Sequence, residues 1–431
     1  MPEAHRPPHS ATAPQPLVEP AAGRTAWWLP SLVTTALVLG FYAWKWRTLS
    51  AFVMSIDNHE QFMQDFVAHY YPMGQRVFVN PTPVPGYLYT SFFAVLMAPI
   101  AHLDLPAAMF VWGALQAIGV VALGLTAGRG LLQLGPRATA AMLFLVMTSL
   151  PVLDNVKWGQ VSVLVTACVF GACALQHRGR SVLAGTLLAF ATAIKLYPAA
   201  FVGYLLLRRD WRAVVAFVVG SMLFYCVVPA VALGFDAWFA FERTVAATAG
   251  SIDVAANIGS QFLPNVVLRW GFLHWGQVPA PAWLTTIRIG GYVLAAVCAG
   301  LAAVSLRQRG ARATIPIVCL LLAMPLVVQT SWTHYFVFLP FCQVALLVRL
   351  VSIARAANGS RRRRLAFGCA ALPAASMVLG SVFGFDACGG WVHYNGYGVP
   401  LVADLLLVAA TIVLLRLGRD GADRSGPDRQ A

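Results

Sequence analysis

The sequence predicts an all-α, polytopic integral membrane protein with about twelve membrane-spanning helices, and three observations carry that prediction. Hydrophobic residues fill 59% of the 431 positions and charged residues only 11%, whereas an ordinary soluble domain is about 25% charged. Mean hydropathy is +0.71. The apolar residues come in successive runs of membrane length, joined by short loops rich in arginine. A surface so poor in charge cannot stay dispersed in water, but lipid tails, as apolar as leucine, accept it.

The chain divides into a tail, a membrane domain and a second tail. Residues 1–24 are rich in Pro, Ala and His, lack periodicity and read as a disordered cytoplasmic tail. They are not expected to be a signal peptide, because no charged start leads into an apolar region and a small-residue cleavage site. The membrane domain, residues 25–417, opens with the run Ala26–Trp46. It continues with Ala107–Ala127, Ala138–Leu153, Gln160–Gln176, Ala213–Leu233, Leu284–Leu306, Ala313–Thr330, Trp332–Leu350, Leu365–Phe383 and Val399–Leu415. Residues 418–431 form the second polar, disordered cytoplasmic tail. Two segments are ambiguous: Leu88–Leu103 is short and contains Pro99, and Ser181–Leu207 is long and interrupted by Pro198.

Charge orients these runs. The loops Arg129–Arg137, His177–Arg180, Arg208–Arg212, Arg307–Arg312 and Arg361–Arg364 should all be cytoplasmic. They agree if Leu88–Leu103 lies in the interface or re-enters without crossing, and if Ser181–Leu207 is a hairpin turning near Lys195-Leu196-Tyr197-Pro198. A non-helical turn at membrane depth is tolerated where it lines protein or a watery cavity, so parity itself puts Lys195 in a cavity. The net charge of +14 is then a topogenic signal and not the footprint of nucleic acid. Seven of the eight cysteines lie in apolar runs and Cys388 stands alone in a loop; no CxxC or Cys/His metal spacing occurs, and no disulfide is expected. No internal repeat is visible.

The outer loops hold nearly every polar residue that invites a chemical explanation: Arg47–Tyr87, Asp154–Gly159, Gly234–Trp283, Ser331–His334 and Gly384–Gly398. In the first, polar and aromatic residues interleave through Gln64-Asp65-Phe66-Val67-Ala68-His69-Tyr70-Tyr71-Pro72, as in a helix lying on the membrane surface. A carboxylate there can act as a general base on a hydroxyl, or simply face water or cap a helix. The loop Asp154-Asn155-Val156-Lys157-Trp158-Gly159-Gln160 offers amides and an indole suited to a sugar, or ordinary capping groups. Lys195, deep in an apolar run, wants a phosphate or a carboxylate, unless it snorkels to the interface. His334, in Ser331-Trp332-Thr333-His334-Tyr335, can contact a phosphate, orient a base or satisfy a backbone carbonyl. Asn257, Gln261 and Asn265 are weaker candidates, and Trp391–Tyr397 reads as an aromatic interfacial belt. No metal is expected, since the acids lack metal-ligand spacing, and no nucleotide-binding loop is present. An activated substrate would therefore be lipid-borne.

Four motifs in order resemble glycosyltransferase family 87, within the GT-C superfamily of membrane transferases that use polyprenyl-phosphate sugars. They are Asp-Phe-x-x-x-Tyr-Tyr-Pro at Asp65–Pro72, Asn-x-x-x-Gly-Gln at Asn155–Gln160, a Gly-containing helix running into Lys195-Leu196-Tyr197-Pro198 and then Arg209-Asp210-Trp211-Arg212, and Ser331–Tyr335. The resemblance covers roughly residues 30 to 350. It implies a GT-C-type fold, a cavity on the periplasmic side of a bacterial inner membrane, no bound cofactor, and Asp65 as the general base. Asn155, Gln160, Lys195, Tyr197, His334, Tyr71 and Arg76 would bind substrate, with Lys195 and His334 near the lipid phosphate. The implied partners are a polyprenyl-phosphate sugar, mannose being the sugar expected, and a glycolipid or glycan acceptor. The chain departs from the pattern in two places. Asp57 and Glu60 offer a second acid pair for the base, and Ile252–Asn265 matches only loosely, which leaves the acceptor open. A lipid-linked glycan ligase or polymerase, a twelve-helix secondary transporter and a non-catalytic scaffold are the rival readings; a transporter usually shows internal repeats.

Overall fold

A computed structural model describes residues 28–54, 62–249, 257–276, 281–306, 314–357 and 359–422. Asp57 and Glu60 lie outside the described residues, as do residues 1–27 and 423–431 of the expected tails. Every regular element among the described residues is a helix, and the only β-type pairings there are the isolated bridges Ser149–Ser381 and Ser260–Trp332. Among the described residues, Leu105–Leu131, Trp211–Leu233, Thr285–Leu306, Thr333–Ala356 and Val399–Leu417 are long and apolar enough to cross a membrane, and seven shorter apolar helices accompany them. This is a multi-pass membrane protein.

Most apolar runs become the helices expected, and the departures have local causes. The run Ala138–Leu153 is cut at Ser149, which leaves helical geometry at ψ 129° between the helices Pro136–Thr148 and Leu150–Trp158. Pro151 cannot donate to the Met147 carbonyl, and that carbonyl instead accepts the Tyr42 hydroxyl at 2.6 Å. The supposed loop Asp154–Gly159 is therefore the end of a helix, closed by Gly159 at φ +67°. Trp391–Tyr397 likewise holds a short helix, Trp391–Gly396. The last helix, Val399–Ala422, runs past the expected start of the tail at Gly418.

The chain doubles back at Lys195. The helix Ser181–Ile194 stops where Lys195 becomes extended, and Pro198 opens a 3-10 turn, Tyr197–Phe201, that leads into Val202–Leu207. Asp210 then accepts hydrogen bonds from Ser181 Oγ at 2.9 Å and Gln176 Nε2 at 3.3 Å, so the chain has returned to the level it left. The same Asp210 caps the helix Trp211–Ser221 through the Ala213 amide. That helix packs directly on Ser181–Ile194. A Cβ on Gly185 would fall 2.1 Å from the Ala213 carbonyl oxygen, so only glycine allows this approach.

The two ends of the bundle differ chemically. One end gathers Asp65, Asp154, Gln160, Asn257 and His334 around a cavity, with Lys195 beside them. The other carries Gln176, His177, Ser181 and Asp210 together with Arg349 and Arg362. Between them lies one continuous apolar core that includes Phe170, Phe201, Phe336 and Phe341.

Candidate active site

Asp65 is held in place by a glycine. Gly159, left-handed at φ +67°, lies so close under Met63 and Phe66 that a Cβ there would stand 3.0 Å from the Cβ of each. The Met63 amide donates to the Lys157 carbonyl at 2.8 Å. Phe66 stacks on Trp112 at 5.5 Å, and the Trp112 indole donates to the Gly159 carbonyl at 2.7 Å. Asp65 follows from this anchored turn and heads the helical segment Phe66–Tyr70. Its side chain is about one-fifth exposed, and it lines a cavity of 360 Å³, within the roughly 300–1,000 Å³ usual for small-molecule sites.

A chain of polar groups runs from Asp65 to Lys195. The Gln160 amide donates to Asp65 Oδ2. Gln160 Oε1 accepts the Tyr89 hydroxyl, and Tyr70 donates to Tyr89 at 2.6 Å. The Tyr89 oxygen in turn accepts from Lys195 Nζ at 3.3 Å. Burial raises the Asp65 carboxyl to about 6, against the hydrogen bond from Gln160 and the Lys195 charge, which both favour ionisation. His69 Nε2 stands 3.9 Å from Asp65 Oδ1. Burial holds His69 below the usual imidazole range.

Opposite Asp65 lies a second pair. Asp154 Oδ2 is 3.6 Å from His334 Nδ1, and both side chains are almost fully buried. Among the described residues, His334 Nε2 and Trp332 Nε1 have no hydrogen-bond partner. Buried polar groups are nearly always paired, so these two ring nitrogens, on residues that line the cavity, are suited to meet a polar ligand. Asn257, Gly259, Trp158 and Trp391 complete the wall.

Tyr89 and Leu88 also border a second cavity, again of 360 Å³, whose lining is mostly apolar. Lys195 is its cation, held over the Tyr335 ring at 3.8 Å and the Tyr89 ring at 4.8 Å. Tyr197 forms part of the wall and packs on Tyr335. Glu242 lies on the far side, where it accepts from the Ser91 amide and hydroxyl and from Tyr225. It thereby fixes the N-terminus of the helix Ser91–Ala101. Exposed Leu196 stands at the cavity edge.

Of the residues expected to bind substrate, Gln160 and His334 line the first cavity with Asp65, and Lys195 and Tyr197 line the second. Three stand elsewhere. Asn155 is fully buried; it donates to Gln116 and accepts from the Val163 amide, so it braces the turn that aims Gln160. Tyr71 donates to the Leu103 carbonyl, and Arg76 Nε lies 3.4 Å from the Asn80 carbonyl; neither lines either of these two cavities. Three neighbours went unselected on the sequence: Tyr89, which joins the two cavities, Asp154, which partners His334, and Glu242. The weaker candidate Gln261 bonds to the Asn395 carbonyl, and Asn265 to Ser260 Oγ; only Asn257 of that group reaches the cavity. Among the described residues, no three His, Cys, Asp or Glu side chains are grouped to hold a metal ion.

Comparison with known proteins identifies the family. The profile of glycosyltransferase family 87 matches residues 87–329, a stretch that contains Tyr89, Gln160 and Lys195 and stops short of Asp65 and His334. A polyprenol-phosphate-mannose-dependent alpha-(1-2)-phosphatidylinositol mannoside mannosyltransferase from Mycobacterium tuberculosis (strain ATCC 25618 / H37Rv) is 26% identical over 396 residues, covering 84% of each chain. No solved structure matches the chain.

Proposed function

The chain belongs to glycosyltransferase family 87, a membrane hexosyltransferase, and from that premise we propose that it moves mannose from a polyprenyl-phosphate donor to a hydroxyl of a glycolipid or glycan. The donor class follows the name of the mycobacterial relative. The observation that carries the reading is the relay Asp65–Gln160–Tyr89–Lys195, which ties a carboxylate in a polar cavity to an ammonium in an adjoining apolar one.

The chemistry needs those two groups on opposite sides of one anomeric carbon. The acceptor hydroxyl, in the Asp65 cavity, attacks that carbon and gives its proton to the Asp65 carboxylate. The bond from the carbon to the phosphate oxygen breaks, and its electron pair leaves with the polyprenyl phosphate. Lys195 stabilises the charge that grows there, and the apolar wall beyond it suits the isoprenoid chain. A phosphate is a good leaving group, so no strong general acid is required. A single displacement inverts the anomeric centre. His334, oriented by Asp154, presents Nε2 to the sugar or its phosphate. The polar end of the bundle would face the periplasm of a bacterial inner membrane, because the arginine-rich end is retained in the cytoplasm.

The test is transfer of label by the purified protein into a lipid extract, with polyprenyl-phosphate mannose, polyprenyl-phosphate glucose and GDP-mannose as alternative donors. Transfer from the first alone, with the product carrying the anomeric configuration opposite to the donor's, is the expected result. Transfer from the nucleotide sugar, or retention of configuration, would overturn the reading.

A further inference from the structure

The cavity beside Lys195 sets one cation against one carboxylate. Lys195 and Glu242 are the charged side chains on its wall among the described residues. Lys195 gives one Nζ hydrogen to Tyr89, and an ammonium has three, so the others can meet an anion. The hydroxyls around it are already engaged. Thr90 donates to the Ala193 carbonyl and Tyr89 to Gln160, and Thr330 pairs with Tyr335 at 3.0 Å. The Tyr197 hydroxyl lies 3.5 Å from Thr166 Oγ1.

Glu242 enters from the helix Phe235–Ala249, and its own contacts engage the donors near it. Its Oε1 accepts from the Ser91 amide at 2.8 Å and the Ser91 hydroxyl at 2.6 Å, and its Oε2 from the Tyr225 hydroxyl at 3.0 Å. The preceding residue, Phe241, is buried and packs edge-on against Tyr87 at 5.8 Å, which anchors the helix and so fixes the carboxylate. Burial raises the pKa of Glu242, and its three hydrogen bonds lower it. Residues 250–256, next along the chain, contain Asp253 and no Lys, Arg or His.

On the reading that a lipid-borne phosphate meets Lys195, the donor's sugar points to the Asp65 cavity and its lipid points away. A second phosphate would then lie on the lipid side of the first, in the volume walled by Val245, Ala246, Val328 and Glu242. A phosphate diester carries one charge, which Lys195 matches. A diphosphate diester carries two. The second would lose its water to an apolar wall, meet hydroxyls already engaged, and share 360 Å³ with a carboxylate. Two like charges about 10 Å apart, at an effective dielectric of about 20, repel by about tenfold or more in affinity. We propose that Glu242 is a specificity-determining residue, which turns away diphosphate-linked lipids and leaves the cavity to monophosphate-linked ones.

The experiment is native mass spectrometry on the full-length protein in detergent at about pH 8, well above the ordinary carboxylate range, titrated with polyprenyl-phosphate mannose or polyprenyl-diphosphate mannose, with transfer from each measured alongside. Wild type should bind the monophosphate at least about tenfold better. Glu242→Gln keeps the size and an acceptor oxygen but not the charge, and should lose most of that preference. Ala246→Lys, one helical turn along on the same wall, sets a cation beside Glu242 and leaves its hydrogen bonds alone. It should have the same effect, which serves if the glutamine variant fails to fold. Arg243→Gln, on an exposed neighbour, should keep the wild-type preference. Equal binding of the two lipids by wild type, or unchanged preference in both the Glu242 and the Ala246 variants, would overturn the proposal. Transfer separates the two readings. Transfer from the monophosphate without a binding preference rejects the role of Glu242 alone, whereas a Glu242-dependent preference without transfer from either lipid rejects the reaction and upholds the selectivity.

Discussion

Replacing Gln160 by Met should move the acid limb of the transfer reaction's pH profile upward by about one to two units. Asp65 can take a proton only when ionised, so turnover falls as pH drops through its pKa, about 6. Burial raises that value, while the Gln160 hydrogen bond and the Lys195 charge hold it down. Methionine has nearly the same length and keeps the burial but removes the donor. A hydrogen bond to a charged group is worth about 1.5–3 kcal/mol, and one unit of pKa is about 1.4 kcal/mol, which places the midpoint near 7–8. At pH 7 the ionised fraction falls from about nine-tenths to somewhere between about one half and one tenth, and the two enzymes converge at alkaline pH. The assay is initial-rate transfer from saturating polyprenyl-phosphate mannose between pH 5 and 9. An acid limb that stays near 6 in the variant, or moves down, would refute the reasoning.

Three further outcomes follow from neighbouring contacts. Lys195→Met should lower kcat by about 10²–10³ as the departing phosphate loses its cation, with part recovered in Lys195→Arg; unchanged kcat at saturating donor would remove Lys195 from the phosphate. Asp154→Asn should reduce transfer by about tenfold, as the carboxylate 3.6 Å from His334 Nδ1 loses its charge, and the double variant with His334→Ala should fall no further than the worse single one, because the two act as a unit; additive losses would separate them. Gly159→Ala, at φ +67° and against Met63 and Phe66, should cost about 1–2 kcal/mol. Its thermal midpoint and its turnover should both drop, since the turn it disturbs carries Asp65; full activity at a lowered midpoint would uncouple the turn from the site.

What the sequence made legible was set by hydropathy and charge. Apolar runs located the helices because a lipid solvent leaves few other solutions for the backbone, and arginine parity anticipated the hairpin at Lys195. Proline did more than interrupt: near Pro151 a run is split and an expected loop becomes the end of a second helix, with the Met147 carbonyl accepting from Tyr42 instead. The motif Asn155–Gln160 was visible as a group, but its division of labour was not. Asn155 looks inward to Gln116 and Gln160 outward to Asp65, and that depends on the left-handed turn at Gly159 between them. Tyr89 and Glu242 carry no local signature. An aromatic near the end of a loop and an acid between Phe241 and Arg243 acquire meaning only when chain segments far apart in sequence, around residues 90, 160, 195 and 240, are brought together. Tyr71 and Arg76 were drawn in by their neighbours in sequence, yet a helical segment turns them away from the face that holds Asp65.

The measurement that bears most directly on the account is transfer of labelled mannose from polyprenyl-phosphate mannose by purified wild type and Asp65→Asn, each shown to be folded by its thermal midpoint. The amide is isosteric and cannot accept the proton, so the variant should lose at least about a hundredfold in kcat, as expected for removal of a general base. Equal transfer by the two proteins would contradict the assignment and move the search for the base to Asp57 and Glu60.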